Sequence, residues 1–239
     1  MRGKFSLVKA LVFDVFGTVV DWRGSIIREV RSLARANKLD IDPAAFADAW
    51  RSGYQPAMAK VRSGALGWTK IDALHRMILD DLLVRFGVRG LKEAEVDNLN
   101  RVWHRLTPWP DARAGLKALK KHRIIATLSN GNVSLLANMA KFGGLPWDCI
   151  FSGENFHHYK PDPETYLGAC GLLSLKPAEV MMVAAHKNDL FAAKASGLAT
   201  GFVPRPLEYG PGVKKDLKPE RAFDINADDF PDLARRLGP

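Results

Sequence analysis

Residues 8–18 read Val-Lys-Ala-Leu-Val-Phe-Asp-Val-Phe-Gly-Thr. The run 8–13 is short, β-branched and aromatic, and it is ended by Asp14 and the turn-forming pair Gly17-Thr18. This predicts a buried strand. One strand alone leaves its backbone unpaired and cannot cover both of its faces, so the rest of the sheet must lie elsewhere in the chain. It begins after Trp109-Pro110-Asp111, where helical and strand periods alternate. Helices are predicted over 112–122, 133–142, 163–172 and 189–196, and strands over 123–128, 149–152, 180–185 and 199–203. That alternation is the pattern of a parallel sheet wound with helices. From residue 204 the chain is rich in Pro, Gly and Lys, which predicts a surface loop before a short last helix near 228–236.

Between the first strand and this alternating half, from about 22 to 106, the strand signal disappears. Ile26, Ile27, Val30, Leu33 and Ala34 recur at helical spacing, as do Ile71, Leu74, Ile78 and Leu82, then Val96, Leu99, Trp103 and Leu106. A further helix is expected from Asp42-Pro43 through Trp50 and Arg51, with Asp42 as N-cap and Pro43 in the first turn. The organisation that accommodates both halves is one α/β core, residues 1–21 and 107–239, with residues 22–106 inserted after its first strand as a helical block.

Composition narrows the classes of function. With 239 residues, 47% hydrophobic and 26% charged, the chain can bury a core. No apolar run approaches the ~18–20 residues that would cross a bilayer, so no membrane association is expected. The basic start and following apolar run are interrupted by Asp14, and no small-residue cleavage site follows, so no signal peptide is read. Cys149 and Cys170 lie in apolar stretches without metal-ligand spacing. They are expected to be buried free thiols, consistent with the cytoplasm.

The formal charge of +9, from 35 Lys+Arg against 26 Asp+Glu, first suggests nucleic acid. The basic residues are scattered, however, as in Arg28, Arg31 and Arg35 or Lys117, Lys120 and Lys121, at spacings that suit the wet face of a helix. There is no basic tail, zinc-finger spacing or RNP-like aromatic motif. A solvated surface that mildly steers small anions is expected, without a nucleic-acid partner.

In open parallel sheets, ligands bind outside the carboxyl ends of the strands. The expected strand ends carry Asp14, then Ser129-Asn130, then Lys160, then Ala184-Ala185-His186 with Asp189 three residues on. Each alone has a plain explanation as a turn or cap residue. Four at one sheet edge point to a site. Asp14 suits a carboxylate nucleophile. Lys160, in a loop stiffened by Pro161 and Pro163, would hold that carboxylate ionised. Thr18 and Ser129 could donate hydrogen bonds to it or to a substrate carboxylate.

Taken together, LVFDVFGT at 11–18, LSNGN at 128–132, YKPDP at 159–163 and VAAHKND at 183–189 resemble the four ordered motifs of the haloacid dehalogenase superfamily. Within it the match is nearest to the type II 2-haloacid dehalogenases. The resemblance spans nearly the whole chain, the helical block standing where that family carries its cap. It implies a Rossmann-like core and a cofactor-free hydrolase acting on short 2-haloalkanoic acids. Asp14 would displace halide to form an ester, Asp189 would orient or deprotonate the hydrolytic water, and Lys160 would stabilise charge at Asp14. An arginine of the cap reaches the departing halide in that family, and AFADAWRSGYQ at 45–55 places Arg51 there. Val15, Phe16, Thr18, Ser129, Asn130, Tyr166 and His186 would surround the substrate. Family members often pair through cap and core helices, which implies a homodimer.

The chain also departs from the family pattern. Superfamily phosphatases carry a second Asp two positions after the nucleophile, where this chain has Phe16, and extra carboxylates in the fourth motif, which here offers only Asp189. A phosphoryl group normally needs that acid and a metal; a halide needs neither, so no metal is expected. The best-known dehalogenase form of the fourth motif has Ser-Ser-Asn before Trp-Asp, whereas Ala184, Ala185, His186, Asn188 and Asp189 stand here. His186 must then take over the lost donors, or another network must. Phe16 also replaces a common tyrosine. PWPD, YKPDP, AAH and FVPRPLEYGP resemble a branch that includes fluoroacetate-active members, for which Arg51, Trp147, His157 and His158 are candidates to line a tight halide pocket. Two other readings stay open: a Mg²⁺-dependent phosphatase with atypical ligands, and a non-catalytic binding protein of the same fold.

Overall fold

The computed structural model describes residue 5, residues 7–213 and residues 215–239; the basic start, Met1–Lys4, lies outside the described residues. Strand β1 (Ala10–Phe13) leads through a turn into the two-residue strand β2 (Val20–Asp21). Helices α1 (Trp22–Asn37), α2 (Pro43–Arg62), α3 (Ile71–Arg85) and α4 (Glu93–Asn100) follow, then a 3-10 segment, Arg101–Arg105, and strand β3 (Thr107–Pro108). The rest alternates: α5 (Ala112–Lys120), β4 (Ile124–Ser129), α6 (Val133–Gly143), β5 (Cys149–Ser152), α7 (Gly153–Phe156), α8 (Pro163–Leu172), β6 (Val180–Ala184), α9 (Lys187–Ala195), β7 (Ala199–Phe202), β8 (Ile225–Asn226) and α10 (Phe230–Leu237).

The main sheet has the order β5-β4-β1-β6-β7-β8, and each neighbouring pair runs parallel. β1 lies inside it, Ala10 pairing with Ile124 on one side and Val180 on the other. This placement explains why the strand is apolar throughout: helices cover both faces, and all four of its residues are fully buried. Leu11 and Phe13 enter one core with Ile125, Met181, Val183 and Leu233, while Ala10 and Val12 enter the other with Met182, Tyr166 and Leu190.

The inserted helices stack in sequence, α1 on α2, α2 on α3 and α3 on α4. Asp21 caps α1 by accepting from the Gly24 N–H at 2.8 Å, and Asp42 caps α2 through the Ala44 N–H at 2.8 Å, with Pro43 at its first position. The antiparallel pair β2–β3 brings the two ends of the helical segment side by side, Val20 opposite Pro108. The segment also shares its interior with the sheet. Phe16, from the turn after β1, packs edge-on to Trp103 at 5.4 Å and Tyr54 at 6.4 Å between ring centroids. The helices are thereby held over the carboxyl end of β1.

Several elements depart from the sequence expectation. Strands β2, β3 and β8 are two residues each, too short to show a period, and the single-turn helix α7 is hidden for the same reason. Cys170 is buried but Cys149, on edge strand β5, is half-exposed; both are free. Among the described residues, no helix is long and apolar enough to cross a membrane.

Candidate active site

The carboxyl end of β1 delivers Asp14 into a turn held from three sides. Its own N–H donates to the Val183 carbonyl on β6 at 3.0 Å, Trp109 Nε1 donates to the Gly17 carbonyl at 2.8 Å, and Arg205 Nε donates to the Thr18 carbonyl at 2.8 Å. Gly17 sits at φ +84°, a backbone region that disfavours side chains.

Asp14 Oδ1 accepts from Lys160 Nζ at 3.0 Å. Oδ2 accepts from the Thr18 hydroxyl at 2.6 Å and from His186 Nδ1 at 3.0 Å. The Thr18 oxygen in turn accepts from the Ala185 N–H at 2.9 Å, which leaves the hydroxyl hydrogen directed at Asp14. Lys160 is fixed by Asn130, whose Oδ1 accepts from the Lys160 N–H at 2.7 Å while its Nδ2 donates to the Lys160 carbonyl at 3.3 Å. Arg62 of α2 donates to that same carbonyl. The ammonium also reaches Asp189 Oδ2 at 2.5 Å, and the Tyr166 hydroxyl donates to Asp189 Oδ1 at 2.6 Å. Asp189 lies in the first turn of α9, where the N-terminal dipole favours a carboxylate.

A further carboxylate completes the network. His186 Nε2 lies 2.9 Å from Glu208 Oε1 and 3.0 Å from Oε2, and Trp22 Nε1 donates to Oε1 at 3.2 Å. Glu208 comes from the loop between β7 and β8. A Cβ at Gly17 would lie 2.1 Å from Glu208 Oε1, so the glycine also makes room for this carboxylate.

The electrostatics follow from this geometry. Burial works to raise the Asp14 carboxyl, but Lys160, His186 and Thr18 together hold it well below the usual carboxylate range. Burial likewise works to lower His186, yet Glu208 and Asp14 push the imidazole up to about 10. Burial opposes the Lys160 charge, and Asp14 and Asp189 more than restore it. Asp189 is raised, first by burial and then by the nearby Asp14 charge, against the pull of Lys160. The pair therefore divides into an ionised Asp14 and a more basic Asp189, the separation expected of a nucleophile and a proton acceptor.

Arg51, on α2, lies over the Tyr54 ring at 4.5 Å and the Trp22 ring at 5.6 Å. One of its terminal nitrogens is buried without a hydrogen-bond partner among the described residues. It faces a cleft of about 700 Å³ between the inserted helices and the sheet edge, lined also by Asp14, Phe16, Asn130, Lys160, Tyr166, His186 and Asp189.

The sequence-nominated residues therefore separate into three groups. Eight line one cleft, and Thr18 stands directly behind Asp14. Val15 and Ser129 do not line it: the Val15 side chain is turned into the core, and the buried Ser129 hydroxyl accepts from the Gly131 N–H at 3.2 Å. Val15 lies in the turn beyond β1 and is buried in the same core as Phe13 and Val19. The proposed halide residues other than Arg51 also lie elsewhere. Trp147 packs on Phe13, while His157, stacked on Trp68, and His158, beside Asp162, line a separate depression of about 410 Å³. Glu208, Trp22 and Arg62 were not nominated from sequence. A single glutamate in a Pro/Gly-rich loop has no spacing to mark it. Among the described residues, no group of three or more His, Cys, Asp or Glu is arranged to hold a metal.

A family model described as haloacid dehalogenase-like hydrolase matches residues 8–197. The (S)-2-haloacid dehalogenase 1 of Pseudomonas sp. (strain CBS-3) is 29% identical over 237 residues, covering 96% of this chain and 98% of that protein. The (S)-2-haloacid dehalogenase 4A of Burkholderia cepacia is 30% identical over 220 residues, covering 84% and 87%. Among solved structures, the defluorinating L-2-haloacid dehalogenase Rha0230 is 49% identical, with a TM-score of 0.94 over 96% of this chain and 95% of that one. The buried Asp14–Lys160–Asp189 cluster and these matches agree: the chain belongs to the haloacid dehalogenase-like hydrolases, within the 2-haloacid dehalogenase family.

Proposed function

We propose that the protein hydrolyses short 2-haloalkanoic acids, such as haloacetates and 2-halopropionates, to 2-hydroxy acids through an ester at Asp14. The observation that carries this reading is the state of Asp14: an ionised, buried carboxylate beside Lys160, with Phe16 where a proton donor for an oxygen leaving group would stand. Such a site suits a leaving group that departs as a stable anion.

In the first step Asp14 Oδ1 attacks the carbon bearing the halogen. The C–O bond forms as the C–X bond breaks, the carbon inverts, and the electron pair leaves with halide toward the Arg51 guanidinium. Water then adds to Cγ of the ester and passes a proton to Asp189. The Cγ–Oδ1 bond breaks, and Lys160, bonded to both Oδ1 and Asp189, supplies the proton that the product hydroxyl needs. Asp189 returns its proton to Lys160, and the new Asp14 carboxyl, now carrying a solvent oxygen, releases its remaining proton to water to restore the carboxylate. The charged groups nearly cancel, Asp14, Asp189 and Glu208 against Lys160, His186 and Arg51, so a substrate carboxylate enters without meeting a net negative site. Likeness to a defluorinating relative supports extending this reading to fluoroacetate.

Chloride release from chloroacetate and 2-chloropropionate in EDTA tests the proposal. Release by wild type and none by Asp14→Asn is the expected result. Metal-dependent turnover of an aryl phosphate with no halide release would instead favour the phosphatase reading. Fluoride release from fluoroacetate, followed the same way, tests the extension.

A further inference from the structure

The two oxygens of Asp14 have different surroundings. Oδ1 meets the Lys160 ammonium, whereas Oδ2 is held by the Thr18 hydroxyl at 2.6 Å and by His186 Nδ1 at 3.0 Å. We propose that Thr18 and His186 form an oxyanion-stabilising pair around Asp14 Oδ2 that serves hydrolysis of the ester, and that Glu208 is the positioning residue that keeps His186 charged and turned toward Asp14. The inference rests on the ester route proposed above and assigns a task to residues that the route leaves without one.

An oxygen carrying two such hydrogen bonds has its lone pairs engaged, so the bond to substrate forms at Oδ1 and Oδ2 becomes the ester carbonyl oxygen. During halide displacement, negative charge leaves the carboxylate, and donors at Oδ2 do not favour that step. During hydrolysis the charge returns. As water adds to Cγ, the carbonyl electron pair moves onto Oδ2, which becomes an oxyanion already in contact with both donors. Collapse re-forms the C=O bond and breaks Cγ–Oδ1. Interactions that strengthen as charge develops accelerate a step, whereas those present equally before it do not.

His186 is suited to donate and unsuited to act as base. Both ring nitrogens lie against carboxylates, Nδ1 on Asp14 and Nε2 on Glu208, so both carry hydrogens. When Asp14 becomes an ester, one of these two anions is lost. Glu208 remains, and it is the group that keeps the ring an imidazolium in the intermediate. It is itself held by Trp22 Nε1 and by the space at Gly17. Of the other charges lining the cleft, Lys160 and Asp189 lie beyond Asp14 on its other oxygen, and Arg51 lies over the Trp22 ring that holds Glu208.

Rapid-quench turnover of 2-chloropropionate, reading chloride and the mass of the Asp14 peptide, tests the assignment. His186→Asn and Thr18→Val are expected to release about one equivalent of chloride in a burst within roughly tenfold of the wild-type rate. Turnover afterwards should be about 100-fold slower, with the ester accumulating on Asp14. The burst itself shows that the variant is folded. Glu208→Gln should show the same partition, deepening from pH 7 to pH 9 as its imidazole loses the proton, with little change in wild type over that range. Burst and turnover reduced equally, without accumulated ester, would overturn the proposal while leaving the ester route intact. Wild-type turnover in H₂¹⁸O that puts no label into Asp14 would overturn both.

Discussion

Replacing Lys160 with methionine removes the one cation that two buried carboxylates share. Lys160 Nζ is 3.0 Å from Asp14 Oδ1 and 2.5 Å from Asp189 Oδ2, with side-chain exposures of 7%, 11% and 8% for the three residues. Those distances hold the two carboxylate oxygens within about 5.5 Å of each other. At an effective dielectric near 20, two unit charges so placed repel by about 3 kcal/mol, and breaking a buried ion pair costs about 3–5 kcal/mol. Lys160→Met should therefore lose about 3–5 kcal/mol of stability at pH 8, measured by denaturant unfolding. The loss should shrink on acidification. Without the lysine, one carboxyl has a folded-state pKa above its unfolded value, so the folded state binds the extra proton and stability falls as pH rises between the two values. In wild type the lowered Asp14 acts in the opposite sense, its contribution being present above the ordinary carboxylate range and lost as pH falls. Turnover by the variant should drop at least about 10³-fold, since the nucleophile is protonated in part and the leaving oxygen has no proton donor. A stability loss below about 1 kcal/mol, or the same loss at pH 5 and pH 8, would refute the claim that this lysine neutralises both carboxylates.

Three further outcomes follow from the geometry. The turnover–pH profile should be broad: Asp189, raised by burial and by Asp14, must be ionised to accept a proton and sets the acid limb, while loss of the His186 proton sets the alkaline limb, below the value of about 10 that the imidazole has beside an ionised Asp14 because the ester has lost that charge. A single limb centred near pH 6.5 would contradict this. Arg51→Lys should keep the charge but lose the fork that rests on Tyr54, lowering kcat/KM by about tenfold to 100-fold; steady-state kinetics with chloroacetate checks it. Gly17→Ala should destabilise by about 1–2 kcal/mol from the positive φ alone and displace Glu208, so that the alkaline limb moves to lower pH. An unchanged profile would mean that Glu208 does not govern His186.

Much of the fold is legible in the chain because helices and strands bury their faces with different periods. The apolar run at 8–13 has to lie inside a sheet, and the alternation after Trp109 supplies that sheet. Asp14, Lys160, Asp189 and the His186 substitution are legible because the strand ends place them and the motif order identifies them. The two-residue strands are not, since a pair of residues has no period.

The limits of the site are drawn by contacts between segments far apart in sequence. Glu208 is 22 residues from His186 and 186 from Trp22, yet it bonds both, and a missing side chain at Gly17 makes room for it. Val15 and Ser129 neighbour cleft residues in sequence but lie outside the cleft, the first buried in the core beyond β1 and the second closing a local turn bond. Local chemistry and hydrophobic period determine which elements form and which residues can react. The packing of an inserted helical block and a late loop against one sheet edge decides which of those residues meet, because the distances that set charge and proton affinity exist only after the chain has closed on itself.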